Sequence, residues 1–326
     1  MKKLMVIPLV AAGMAAMVGC SKTPVKEAAK NDAINLANLD TAVAPGTDFY
    51  QYACGGWMKN NPLKPEYARF GTFDQLRDNN QEQIRTLIEG LSETPGQEGS
   101  VGQKIGMLFA MGMDSVKLNE DGYAPIKDQL AEINKLGTKD ELTKMVATLH
   151  KEGMAPFFAL YVGADEKNSS MNIVQLYQAG LGMGDRDYYL LEDESSQKMR
   201  EAYKNYITRL FTLIGSSPEQ ADAAVNAIMK IERGIAEVSF SREDLRDSQK
   251  NYNKMSIEDF KAKNDLLNWD VYFESMGMMD IKYLDAKQLS FYEGLSALMK
   301  NTTLDEQKYY LTFNSVSYTH LRAHET

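Results

Sequence analysis

Basic charge, cysteine and histidine are all scarce in this chain. Its 326 residues hold 36 Lys and Arg against 45 Asp and Glu, a net charge of −9. Phosphate binding needs a basic face, so this balance argues against a nucleic-acid partner. The 2 cysteines, Cys20 and Cys54, allow at most one internal pair. The 3 histidines are His150, His320 and His324. No internal repeat stands out, which sets aside solenoids and arrays. The longest apolar run, Leu4 to Met17, falls short of the about 20 residues that a relaxed membrane-spanning helix needs. What remains is ordinary for a globular protein: 44% hydrophobic and 25% charged residues, enough to bury a sizeable core in one large domain or two smaller ones.

The first residues read as a targeting segment. Lys2 and Lys3 precede the apolar run, which ends in Met17-Val18-Gly19-Cys20-Ser21. The sequence resembles a bacterial lipoprotein box, in which small residues precede a cysteine that is lipidated and becomes the new N-terminus. A plain secretory signal that happens to contain a cysteine is the alternative. The position of Cys20, immediately after the small residues, favours the lipoprotein. Several acyl chains on Cys20 would anchor the protein to a membrane of a bacterial cell envelope, facing periplasm or exterior, where one chain alone is marginal. The expected organisation is a signal peptide over residues 1–19, a tether over 20–40 rich in Ala, Lys, Asn, Thr and Pro, and a folded domain over 41–313. The last segment, 314–326, continues no apolar period and carries two of the three histidines, so it reads as a non-native tail.

Between these ends, helical periodicity dominates. Ile84, Leu87, Ile88 and Leu91 follow the spacing of one buried helix face. Residues 94–100 break the chain, and Ile105, Leu108 and Phe109 open another helix. Ile126, Leu130 and Ile133 make a third, stopped by Gly137. Thr138 and Glu141 form a capping box for a fourth, with Leu142, Met145, Val146 and Leu149 on its buried face. Phe157 to Val162 and Ile173 to Tyr177 are rich in aromatic and β-branched residues and read as a hairpin joined by a long polar loop over 164–170. Tyr203, Tyr206, Ile207, Leu210 and Phe211 share a helix face closed by Gly215. Ser217-Pro218 opens the next helix, carrying Val225, Ile228, Ile231, Ile235 and Val238. Ser256, with Asp259 three residues on, caps a further short helix. The expected class is mainly α with one small β-hairpin.

Four blocks in order carry a specific resemblance. Asp48-Phe-Tyr-Gln-Tyr-Ala-Cys-Gly-Gly-Trp57 is followed in register by Arg69-Phe-Gly-Thr-Phe-Asp-Gln-Leu-Arg-Asp78. Gln178-Ala-Gly-Leu181 with Asp185-Arg-Asp-Tyr-Tyr189 comes next, then Tyr252-Asn-Lys-Met-Ser256 with Asn268-Trp269. Over roughly residues 40–313 the chain resembles the N-terminal half of the neprilysin family of zinc metallopeptidases, which includes neprilysin, the endothelin-converting enzymes and bacterial oligopeptidases.

The resemblance implies a multi-helix lid domain that, with a thermolysin-like catalytic half, encloses a chamber for short peptides. In the family, zinc is held by His-Glu-x-x-His and a downstream glutamate of Glu-x-x-x-Asp, and the first glutamate activates the metal-bound water. No His-Glu-x-x-His followed by a Glu-x-x-x-Asp occurs in this sequence. His150 lies on an apolar helix and reads as a core-edge histidine. His320 and His324 have i, i+4 spacing, but Leu321 stands where the base belongs. The expectation is therefore a peptide-binding, substrate-gating portion without a metal or catalytic residues of its own. Its partners would be the peptide substrate and its own C-terminal catalytic domain. Arg69 and Arg77 match family arginines that contact substrate, and a guanidinium can pair with a peptide carboxylate. Both also read as ordinary surface or ion-paired arginines, Arg77 beside Asp74 and Asp78. Cys54 is either a buried free thiol or a disulfide partner of the missing half. Gly55-Gly56 allows a tight turn or a close backbone approach. A different class stays open: a helical nutrient- or glycan-binding outer-membrane lipoprotein, for which the 17 tyrosines would supply stacking surfaces.

Overall fold

The computed structural model describes residues 34–63 and 70–317. Cys20, Arg69, His320 and His324 lie outside the described residues. The chain divides into two compact units, residues 1–89 and 90–326.

In the first unit the Asp48–Trp57 motif folds as a helix, α1 (Phe49–Asn60). Asp48 caps it by accepting the Gln51 amide at 2.9 Å. The two glycines sit inside this helix, so they make no turn. Their role is close approach: a Cβ at Gly56 would lie 2.4 Å from the Ala37 carbonyl oxygen and 2.7 Å from that of Leu39. The Asp40 amide donates to the Tyr52 carbonyl at 2.8 Å, tying the preceding segment to the helix. Helix α2 (Thr72–Glu93) begins in this unit and ends in the next.

The second unit carries the core. Its first helices are α3 (Val101–Met113), α4 (Ser115–Asp121), α5 (Lys127–Lys135) and α6 (Lys139–Lys151). The strands β1 (Phe158–Asp165) and β2 (Asn168–Gln178) follow, then α7 (Asp187–Leu190), α8 (Glu194–Leu213) and α9 (Pro218–Val238). The remainder is β3 (Lys254–Ser256), α10 (Ile257–Lys263), α11 (Trp269–Met276), β4 (Tyr283–Ala286), α12 (Leu289–Lys300) and α13 (Leu304–Ser317). The class is mainly α, as the periodicity implies. Among the described residues no helix is long and apolar enough to cross a membrane.

Local signals explain many of these boundaries. The Thr138–Glu141 capping box is present in both directions, and Leu142, Met145, Val146 and Leu149 are buried behind it. Ser217 and Gln220 make a second box, with Pro218 at the first helical position. Gly215 ends α8 at φ +86°. On α9, Ile228, Ile231 and Ile235 are fully buried, each contributing about 1.5–3 kcal/mol of burial free energy.

Three expectations need correction. The hairpin is real, but no long loop joins it: β1 pairs antiparallel with β2 up to Asp165↔Asn168, leaving a two-residue turn. Asp165 makes that turn compact by accepting the Lys167 amide and the Tyr252 hydroxyl on one oxygen and the Lys254 ammonium on the other. Nor is the hairpin the whole sheet. Strand β4 adds parallel to β2 and β3 adds antiparallel to β4, giving the order β1-β2-β4-β3. Finally, the apolar stripe on α2 is not buried: Ile84 is 56% and Leu87 63% exposed. Helix α13 runs past Phe313 to Ser317, with Ser315 and Val316 buried.

Candidate functional site

The strand β2 ends at Gln178, and the backbone then enters the Gln178–Gly184 loop. Gln178 is fixed on three sides. Its amide donates to Gln288 Oε1 at 2.9 Å, and its side chain both donates to the Phe240 carbonyl and accepts the Phe240 amide. Gly180, at φ +95°, sits where a Cβ would meet the Tyr310 hydroxyl at 2.7 Å and the Phe157 amide nitrogen at 2.9 Å. That crowding has a purpose in hydrogen bonding. Tyr310 Oη donates to the Gly180 carbonyl at 2.7 Å and accepts the Phe157 amide at 3.3 Å. Phe157 itself takes φ +67°, a left-handed conformation that costs a bulky residue of order 1–3 kcal/mol and is held by full burial of its ring.

This loop rims a cavity of about 1300 Å³. The far walls come from α8 and α13: Met199, Tyr206, Asn205 and Arg209 on the former, Phe313 and Asn314 on the latter. Aromatic and thioether surface is thus mixed with a few polar groups, the usual make-up of a ligand site. Arg209 is exposed at the wall and has no ion-pair or hydrogen-bond partner among the described residues. The cavity floor holds Glu232 of α9, 1% exposed. Tyr189 donates to its Oε2 at 2.6 Å and Tyr203 lies 3.0 and 2.9 Å from its two oxygens. Burial without a compensating cation raises this carboxyl to about 7, against the pull of the two hydroxyls and the Gly182 amide. The same burial, together with the nearby Glu232 charge, pushes the Tyr189 and Tyr203 hydroxyls upward, so both stay protonated donors.

Sequence reasoning found the loop but not its anchor. A signal was there: Glu232 occupies the i+4 position of the stripe Ile228, Ile231, Ile235, where an apolar residue belongs. Arg209, too, went unnoticed because it lies off the apolar face of α8.

The candidate residues named from sequence are dispersed or differently employed. Arg77, in the first unit, pairs with Asp74 at 3.1 Å and Asp78 at 3.3 Å, and its side chain remains 49% exposed. Cys54 is half-buried on α1 and free. His150 is half-buried at the edge of the core, near the end of α6. Its Nδ1 accepts the Tyr272 hydroxyl at 2.6 Å and its Nε2–H donates to the Pro156 carbonyl at 3.2 Å. Burial lowers it to about 4, so the ring is neutral at physiological pH with both nitrogens occupied. Catalytic zinc needs three protein ligands and an open position; among the described residues no group of three or more His, Cys, Asp or Glu side chains could hold a metal.

The family model for the N-terminal part of peptidase family M13 matches residues 45–323. The chain belongs to this family. Mouse endothelin-converting enzyme 1 is 29% identical over 97% of this chain and 43% of its own length. The bovine enzyme is 32% identical over 72% of this chain and 31% of its own length. Among solved structures, the Mycobacterium tuberculosis zinc metalloprotease Zmp1 superposes with a TM-score of 0.76 at 24% identity, covering 86% of this chain and 43% of that protein. PepO from Lactobacillus rhamnosis gives a TM-score of 0.65 at 19% identity, covering 84% and 43%. These superpositions show that the neprilysin-like N-terminal fold is shared. The chain spans less than half the length of these relatives. M13 peptidases are zinc-dependent and act on peptides, which makes this chain a partial representative of a proteolytic family.

Proposed function

We propose that this chain is the N-terminal, substrate-gating and peptide-binding portion of a membrane-anchored zinc endopeptidase that cleaves short peptides. Zinc and the water-activating glutamate come from a C-terminal catalytic domain, and this portion alone is inactive and binds no metal. The observation that carries the reading is the open cavity rimmed by Gln178–Gly184, which includes the Gln178–Leu181 family block and opens on a mixed apolar and polar space. A short peptide seats its side chains against Tyr206, Met199 and Phe313. Arg209 is placed to take a peptide carboxylate, a charge-assisted contact. In the first unit, Arg69 and Arg77 serve the same class of contact, Arg77 by exchanging Asp74 and Asp78 for substrate. Cys20 carries the lipid that holds the protein to the cell envelope, and Cys54 is available to pair with the catalytic half.

The glycan-binding alternative rests on the exposed tyrosines Tyr50, Tyr161, Tyr177 and Tyr283, which lie outside the cavity. Tyr189, Tyr272, Tyr292 and Tyr310 are fully buried in the core.

Fluorescence anisotropy with labelled pentapeptides tests the binding. Saturable binding is expected, weakened about tenfold or more by Arg209→Ala, as for loss of one charge-assisted hydrogen bond. Arg77→Ala gives a second measure of the arginine contacts. Absence of saturable binding at millimolar peptide would refute the reading.

A further inference from the structure

Glu232 has a feature that cavity lining alone does not require. It is a completely buried carboxylate with no cationic partner, and it holds a loop rather than a ligand. We propose that Glu232, through Tyr189 and Tyr203, is the proton-sensitive anchor of the Gly180–Gly184 loop, so that taking up or losing one proton at this carboxyl sets how readily the rim of the cavity opens.

The geometry gives each residue a part. Tyr189 is bound from both sides: its hydroxyl accepts the Met183 amide at 2.9 Å and donates to Glu232 Oε2 at 2.6 Å. Gly182 lies against the same carboxylate: a Cβ there would stand 3.3 Å from Glu232 Oε1. A Cβ at Gly182 would fall 1.9 Å from the Tyr203 hydroxyl, so the loop is pressed against the same tyrosine that binds Glu232. The loop is therefore tied to this carboxyl through the Met183 amide and the Tyr189 hydroxyl, and Gly182 is packed against its second tyrosine. The other end of the loop is fixed separately by Tyr310 at Gly180. Release at 182–183 would leave the rim hinged at Gly180, beside the left-handed Phe157.

All the donors around Glu232 suit an ionised acceptor, but the surroundings do not suit a charge. The groups facing it are Tyr189 from α7, Tyr203 from α8 and Tyr310 from α13. Helix α12 meets α9 through Leu298 against Gly234 and Gly294 against Val238, with no titrating group in either contact. On its own helix, Arg233 turns away to Glu237 and the Tyr189 carbonyl. The ionised form is thus well hydrogen-bonded yet desolvated and uncompensated, and opening the loop rehydrates it. Folded Glu232 titrates at about 7, above the ordinary 4.5. A carboxyl raised in the closed state binds its proton more tightly there than when open. Closure is therefore most favourable below pH 4.5, weakens as pH rises towards 7, and levels off above it.

Hydrogen exchange of the 179–184 peptide in the whole chain, corrected for intrinsic exchange, tests this without any ligand or peptidase activity. Its outcome is thus independent of the proposed peptide binding. In the wild type the opening constant should rise with pH and plateau near 7, by as much as about two orders of magnitude. Glu232→Gln, which keeps the shape and removes the titration, should flatten that profile. Tyr203→Phe should raise opening at every pH while keeping the slope. A peptide from α6 reports global unfolding, so a loop change matched by α6 would place the effect in overall stability and overturn the proposal. A wild-type profile already flat, or one left unchanged by Glu232→Gln, would overturn it as well.

Discussion

Helices α2 and α9 are nearly the same length, 22 and 21 residues, and both carry apolar residues at helical spacing. Yet α9 buries eight of its residues, and none of the described residues of α2 is buried. The difference lies in what stands beside each stripe. On α9, Ala221, Ala224, Ala227 and Ala236 let neighbouring helices approach, and Gly234 receives Leu298 so closely that a Cβ would meet it at 2.5 Å. On α2, Gly90 has nothing within 4 Å of the place a Cβ would occupy. Periodicity identifies a face; small residues in the stripe show that the face has a close neighbour.

The largest test of this contrast is Ile231→Ala, which should cost about 2–5 kcal/mol in urea unfolding because a fully buried side chain leaves a cavity. A loss under 1 kcal/mol would mean that α9 is not packed as described. A comparable effect belongs to His150 at the end of the buried α6. Its native form is neutral down to about 4, whereas an unfolded histidine protonates near 6.5. Stability should therefore fall as pH drops from 6.5 to 4, by on the order of 3 kcal/mol. Replacing it by Gln should remove that part of the slope in urea midpoints measured across this range. Glu232 acts in the opposite direction over an overlapping window, so the two variants should tilt the wild-type profile in opposite senses.

Glycine substitutions sharpen the comparison further. Gly234→Ala should destabilise by about 1–3 kcal/mol through overpacking against Leu298. Gly90→Ala should instead stabilise, by roughly 0.5–1 kcal/mol, since alanine is the better helix former and meets nothing. Differential scanning calorimetry separates these signs. Smallest of all is Leu87→Ala on α2, expected within about 0.5 kcal/mol of wild type for a surface position. A cost of several kcal/mol there would show that the stripe is buried in solution and break the contrast.

Much of the fold was legible because its signals are local. Thr138 with Glu141, Ser217 with Gln220 and Gly215 each specify a helix end through hydrogen bonds or backbone freedom within a few residues. The pairing of β4 with β2 was not legible, since Tyr283–Ala286 joins residues more than a hundred positions away. The compact hairpin turn was missed for a similar reason: Asp165 is stabilised by Tyr252 and Lys254, which no local window contains. At the candidate site, the Gln178–Tyr189 block drew attention by resemblance. The role of Tyr189 emerged only once Glu232, 43 residues on, stood beside it.

The central claim is that this portion binds and gates while the metal chemistry resides elsewhere in the protein. Metal analysis of the purified chain by plasma mass spectrometry, after incubation with zinc and gel filtration, tests it most directly. The account predicts far less than one zinc per chain and no chelator-sensitive peptide hydrolysis. One tightly held zinc per chain, with turnover abolished by a chelator, would contradict it.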